Sequence, residues 1–322
     1  MTDAVTTRIV RSDSPKGVAW RLPAGIHLQP YMDAHGYSHD KLRALLAQHG
    51  ELGIKSLAVH MGPAIAQDSW ETLHRDALDM GTGCGLVIPG DDQTALDGGL
   101  QTAADKGRLL GQMALHPGMS YVGIDAEGGW ETDTGADDQS TPAKVRELGE
   151  AFVRVARRAW VERLPRPEGM AWADYRRLVA AGDPRVHDIG PWVPLITQGW
   201  FAIESHASFP QRRFAEYADE EYPQEYDNDF IRQYGVHRHA EVRGWMQRDY
   251  ARWDRANPDR VNPRSVTLQG YGWDGDDGEL DDALALADDA PVILYCEPFP
   301  TAQVIAAMRR RMARFAAGKA TA

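Results

Sequence analysis

The stretch Tyr121-Val122-Gly123-Ile124-Asp125-Ala126-Glu127-Gly128-Gly129-Trp130 sets two acids at alternate positions directly after an apolar run. Alternate residues of a strand share a face, so Asp125 and Glu127 start from Cα atoms about 6 to 7 Å apart. Two acids this close ionise together only at a cost, which pushes one toward its protonated form and leaves the other charged. Cleavage of a glycosidic bond uses that division: one carboxyl protonates the leaving oxygen and the other stabilises or attacks the anomeric carbon. Metal ions also take carboxylates, and an acid here can instead cap the next turn or pair with an Arg, so the doublet alone leaves three readings open.

Two further acids stand in similar settings. Glu297 ends Leu294-Tyr295-Cys296-Glu297-Pro298, where it either faces the doublet or serves as an acid before the helix Thr301 to Ala317. Glu204 and His206 alternate in Trp200-Phe201-Ala202-Ile203-Glu204-Ser205-His206. Polar faces recur in other β-rich runs by the same parity: His27, Gln29 and Tyr31; Ser56, Ala58 and His60; Thr267, Gln269, Tyr271 and Trp273. Aromatic residues gather after the same runs, as Tyr31, Trp130, Trp200, Tyr271, Trp273 and Tyr295, with the amides Gln29, Gln198 and Gln269 between them. Flat rings pack on the C–H faces of sugars and amides bond their hydroxyls, so the combination suits a carbohydrate ligand.

Something must carry these groups to one place. Gly25 to Tyr31, Lys55 to Met61, Cys84 to Pro89 and Tyr121 to Glu127 read as strands whose starts lie about 30 residues apart, the length of a strand plus its crossover helix. Between them the periodicity predicts helices over Ser38 to His49, Ser69 to Leu78, Thr94 to Leu115 and Pro142 to Val161, the first opened by Ser38 and stopped by Gly50. Ser265 to Tyr271 and Pro291 to Cys296 read as two more strands, and Thr301 to Ala317 as a closing helix. A fifth strand falls at Trp192 to Thr197 or Trp200 to Ser205 and a sixth near Phe230 to Gly235. Alternating strands and helices demand a parallel sheet covered on both faces. The expectation is one α/β domain over 1–322, a (β/α)8 TIM-type barrel irregular in its second half. Its acid- and aromatic-rich segment Arg212 to Tyr234 reads as a solvated helix and loop or as a lid, inserted around 207–262.

Composition narrows the class. The 322 residues carry 35 Lys plus Arg against 47 Asp plus Glu, a formal charge of −12 that repels nucleic acid and anionic lipid. No apolar run approaches the roughly 18 residues of a membrane span, and Met1 to Lys16 lacks an apolar signal core, so the expectation is a soluble protein, cytoplasmic as synthesised, with release or delivery by a non-classical route left open. Cys84 and Cys296 stand far apart in apolar runs, which predicts buried thiols and neither a metal knuckle nor a disulfide framework. No phosphate-binding GxxxxGK[ST] loop occurs.

Gly123-Ile124-Asp125-Ala126-Glu127 resembles the Asp-x-Glu that closes the fourth strand in family 25 glycoside hydrolases, the barrel lysozymes of bacteria and phages. The resemblance covers the β/α rhythm of the first half and this tripeptide; where the family has an Asp early in its first strand, this chain has His27. It implies catalytic roles for Asp125 and Glu127, with Glu127 as proton donor. The leading expectation is therefore a glycoside hydrolase acting on a polysaccharide or cell-wall glycan. Its catalytic candidates are Asp125, Glu127, Glu297 and Glu204, and its substrate contacts His27, Gln29, Tyr31, His60, Trp130, Trp200, Gln269, Tyr271, Trp273 and Tyr295, with no metal and no cofactor. Two alternatives stay open: a metal-dependent barrel hydrolase or isomerase using the strand-end His and acids, and a non-catalytic glycan-binding or structural barrel of a virion or secreted assembly.

Overall fold

The computed structural model describes residues 22–32, 38–61, 67–89, 103–116, 118–126, 142–157, 193–201, 206, 209–226, 239–258, 261–273, 277–297 and 299–320. The strands are β1 (Gly25–Met32), β2 (Ile54–Met61), β3 (Gly83–Pro89), β4 (Met119–Asp125), β5 (Leu195–Gln198), β6 (Glu220–Glu221), β7 (Gln224–Glu225), β8 (Val266–Gln269) and β9 (Pro291–Cys296). The helices are α1 (His39–Ala47), α2 (His49–Leu52), α3 (Gln67–Asp79), α4 (Ala103–Met113), α5 (Pro142–Phe152), α6 (Gln211–Tyr217), α7 (His239–Ala256), α8 (Asp277–Ala285) and α9 (Ala302–Ala320). Every strand pairing is parallel, in the order β6-β5-β4-β3-β2-β1-β9-β8-β7.

The two ends of that order are one stretch of chain. On one side of it, Asp219, Tyr222 and Gln224 donate backbone N–H bonds to Leu195, Thr197 and Gly199; on the other, Ser265 and Thr267 donate to Glu221 and Pro223. Residues 219–225 thus act as a single strand interrupted at Tyr222 and Pro223, and they close the sheet into an eight-stranded (β/α)8 barrel. Pro223 has no N–H to give, which accounts for the break.

Closure makes two cores. Aliphatic residues on one strand face (Ile26, Leu28, Leu57, Val59, Leu86, Ile88, Val122, Ile124) pack against the helices. The other face fills the lumen with Leu22, Ala58, Val87, Tyr121, Ile196, Tyr222 and Ile293. Among the described residues the lumen is a packed interior, and its half-buried polar and aromatic groups stand at the C-terminal strand ends.

Local signals explain the boundaries. Ser38 accepts from the Lys41 N–H at the start of α1, the cap its hydroxyl predicts. The stop is Gly53 and not Gly50: the chain takes one more turn through α2, and Gly53 ends it at φ 69°, a left-handed conformation open to glycine. α4 and α5 approach closely because Gly107 has no side chain: a Cβ there would collide with the Leu148 carbonyl oxygen. The fifth strand is Leu195–Gln198, which overlaps the first of the two expected placements and ends one residue beyond it. The sixth lies at 220–225, ahead of the expected Phe230 to Gly235, which falls outside the described residues.

That placement corrects the reading of the acid-rich segment. Its first part is α6, and the acids that follow are interior: Glu220, Glu221 and Glu225 are all buried. Glu220 accepts from the Leu22 N–H and the Tyr222 hydroxyl; Glu221 takes two bonds from Arg264, which also reaches Asp254; Glu225 takes one from Arg243 and lies 3.1 Å from His239. Acids matched this way are a strand's anchors and not a solvated face.

Candidate active site at the strand ends

Asp125 ends β4 on the lumen side and is half-buried. The Gln224 amide, arriving from β7, donates to its Oδ1. Tyr295, on β9, feels the charges of Glu297 and Asp125, and its hydroxyl donates to Glu297 Oε1 at 3.1 Å. Burial first, then these two carboxylates, raise the Tyr295 phenol well above its ordinary range, so it stays a hydrogen-bond donor. Tyr226 stacks on Tyr295 at 5.8 Å between ring centres, and Tyr271 meets it edge-on at 6.2 Å. Two carboxylates, a phenol and an amide thus share an opening walled by three aromatic rings.

A polar floor lies beneath. Gln29 Nε2 donates to Gln198 Oε1 at 3.0 Å while Gln198 Nε2 donates back to Gln29 Oε1 at 2.8 Å, a reciprocal amide pair spanning the barrel from β1 to β5. Gln198 also donates to the Thr267 hydroxyl, which donates on to the Tyr222 carbonyl oxygen. Buried amides bonded to one another in this way hold fixed orientations.

The expected contacts separate by depth. Tyr271, Tyr295, Asp125 and Glu297 meet at the opening; Gln29 and Gln269 lie just below it, both buried. His27 faces the lumen as parity predicts, two residues further from the strand end than Gln29, and is fully buried. Its Nε2 donates to the Pro23 carbonyl oxygen at 2.9 Å, leaving Nδ1 to accept from the Ser56 hydroxyl at 2.7 Å. Burial lowers its pKa to about 4, so the ring is neutral at ordinary pH.

Two tryptophans stand beside the helix-side core. Trp273 is buried in the helix-side core with its indole N–H on the Gln269 carbonyl, and Trp200 packs against that same core while stacking on His206 at 4.0 Å. Glu127, Trp130 and Glu204 lie outside the described residues; Tyr31 and His60 contribute backbone to β1 and β2, and their side chains lie outside as well.

Gln224 and Tyr226 are the site residues that the sequence reading missed. Their signal was the alternation Glu220, Tyr222, Gln224, Tyr226 against Glu221, Pro223, Glu225, a period of two hidden by its acids and its proline.

Among the described residues, no three His, Cys, Asp or Glu side chains are grouped to hold a metal ion. No helix among them is long and apolar enough to cross a membrane. Cys84 and Cys296 are both free and buried, and burial raises the Cys84 thiol to about 12 and that of Cys296 well above its ordinary value. Neither is a ready nucleophile.

No protein-family model and no curated protein matches the sequence. Solved structures do. A β-galactosidase from the psychrophilic Marinomonas ef1 aligns at a TM-score of 0.51 and 11% identity over 92% of this chain and 60% of its own. A chitinase from Ipomoea carnea aligns at 0.49 and 10% identity, over 88% of this chain and 99% of that one. A xylanase and α-amylase inhibitor protein from Scadoxus multiflorus aligns at 0.46 and 9% identity, over 89% and 98%. At 11% identity the first of these likenesses is one of fold, the (β/α) barrel.

Proposed function

We propose that the chain is a glycoside hydrolase acting on a polysaccharide or cell-wall glycan at the C-terminal end of its barrel. The observation that carries the reading is the half-buried Asp125 at the end of β4, near enough to Tyr295 for its charge to act on the phenol, beside stacked tyrosines. Asp125 is the stabilising carboxylate or base; Glu127, two residues on, is the general acid, the assignment that the family 25 resemblance supports. Glu297, beside Tyr295, is a further acid of the site, and Glu204 remains a candidate from the sequence alone. Tyr271 and Tyr295 offer a ring face to a sugar. The β-galactosidase shares the barrel and is itself named for a glycosidic activity.

Release of reducing ends from a panel of cell-wall glycan, chitin, mannan and galactan tests this. The wild-type protein cleaves at least one, and Glu127→Gln loses about 10²- to 10⁴-fold, the usual worth of a positioned acid or base, with its melting temperature unchanged. Full activity in that variant removes Glu127 as the acid. Turnover abolished by a chelator supports the metal-dependent barrel instead, and oligosaccharide binding without any turnover supports a non-catalytic one.

A further inference from the structure

We propose that Gln224 is the positioning residue of this site: its side-chain amide aims the Asp125 carboxylate and supports its negative charge without cancelling it. The kinetic consequence rests on the glycosidase reading; the pairing itself does not. An Arg in this position would bring a full counter-charge, whereas an amide gives one directed N–H to Asp125 Oδ1 and stays neutral.

The surrounding structure fixes where that N–H points. Gln224 is only 7% exposed, and its own backbone N–H is held by the Gly199 carbonyl oxygen at 3.0 Å. The preceding Pro223 carbonyl takes the Thr267 N–H at 2.9 Å. The following Glu225 turns the opposite way, fully buried, with Arg243 Nε at 2.6 Å from Oε2. A strand of two residues is thus pinned on three sides, by β5, by β8 and by an ion pair to α7. The donor's aim is inherited from that pinning and not from contacts at the mouth, which is how a supporting residue holds a reacting one.

Two substitutions separate aim from mere packing. Gln224→Met keeps length and loses the donor. Gln224→Glu keeps shape and donates only while the introduced carboxyl holds a proton. We measure kcat, KM and melting temperature from pH 4 to 8 for both, and melting for Gln224→Glu combined with Asp125→Asn. Gln224→Met lowers kcat about thirtyfold, the worth of a hydrogen bond to a charged group, and leaves KM unchanged. Gln224→Glu approaches wild-type kcat and melting temperature at the acid end and falls behind in both as pH rises, because two carboxylates then face each other. Adding Asp125→Asn restores the lost melting temperature. A pH-independent loss of kcat common to both single variants, or a melting deficit that persists in the double variant, overturns the inference. If the wild-type protein cleaves no glycan the glycosidase reading falls, and the melting series alone decides the pairing.

Discussion

Two groups of carboxylates in this barrel are treated in opposite ways. The outward-facing acids of the sixth strand, Glu221 and Glu225, are buried against guanidinium groups of Arg264 and Arg243. Burial still raises the Glu221 carboxyl, with Arg264 pulling it back down, so its charge depends on its partner. At the strand ends Asp125 takes a bond from an amide and Glu297 one from a phenol, both neutral donors. A carboxylate matched to a cation is spent on structure, because removing either partner strands a buried charge. A neutral donor adds a directed bond and no counter-charge of its own, which suits a carboxylate that is to face a developing cation such as the oxocarbenium centre of a glycoside.

The sharpest way to break that contrast is Asp125→Asn, which lowers kcat/KM about 10²- to 10⁴-fold in a reducing-sugar assay while leaving urea-denaturation stability in place. Equal loss of stability would put Asp125 with the structural acids. The converse is Arg264→Met, which leaves Glu221 buried without its partner and costs about 3 to 5 kcal/mol in denaturation. Turnover per folded molecule stays unchanged, and a selective loss of turnover would join the sixth strand's outer face to the chemistry.

His27 sharpens the contrast from within the lumen. Its folded-state pKa is lowered from 6.5 to about 4, so the unfolded chain binds the proton first. The stability tied to its neutral form is complete above pH 6.5 and falls away as pH drops toward 4, by about 3 kcal/mol. His27→Gln flattens this part of the stability profile; an unchanged slope would assign the acid sensitivity to other groups. Smallest is Gly107→Ala, where a methyl group meets the Leu148 carbonyl and costs about 1 to 3 kcal/mol of stability, with no change in kcat.

The first half of the barrel was legible because its strands are apolar, regularly spaced and alternate cleanly: β1 to β4 and β9 fall within about two residues of expectation at each end. Lumen orientation was legible for the same reason, since parity alone placed His27, Gln29, Asp125 and Tyr271. Depth was not: one strand face carries both a packed layer and partly exposed groups, and parity alone does not tell buried His27 and Gln29 from half-buried Asp125 and Tyr271. The sixth strand was illegible because its glutamates argue against a strand locally, while the cations that permit their burial come from Arg243 and Arg264 further along the chain. Tertiary pairing overrode propensity there, and with it went Gln224 and Tyr226.

The most direct test is a crystal structure of the Glu127→Gln variant soaked with an oligosaccharide that the wild-type protein cleaves. The account predicts a sugar ring lying on Tyr271 and Tyr295, its anomeric carbon about 3 to 3.5 Å from a carboxylate oxygen of Asp125. An oligosaccharide seated away from the strand ends, with Asp125 out of reach of every glycosidic bond, would contradict it.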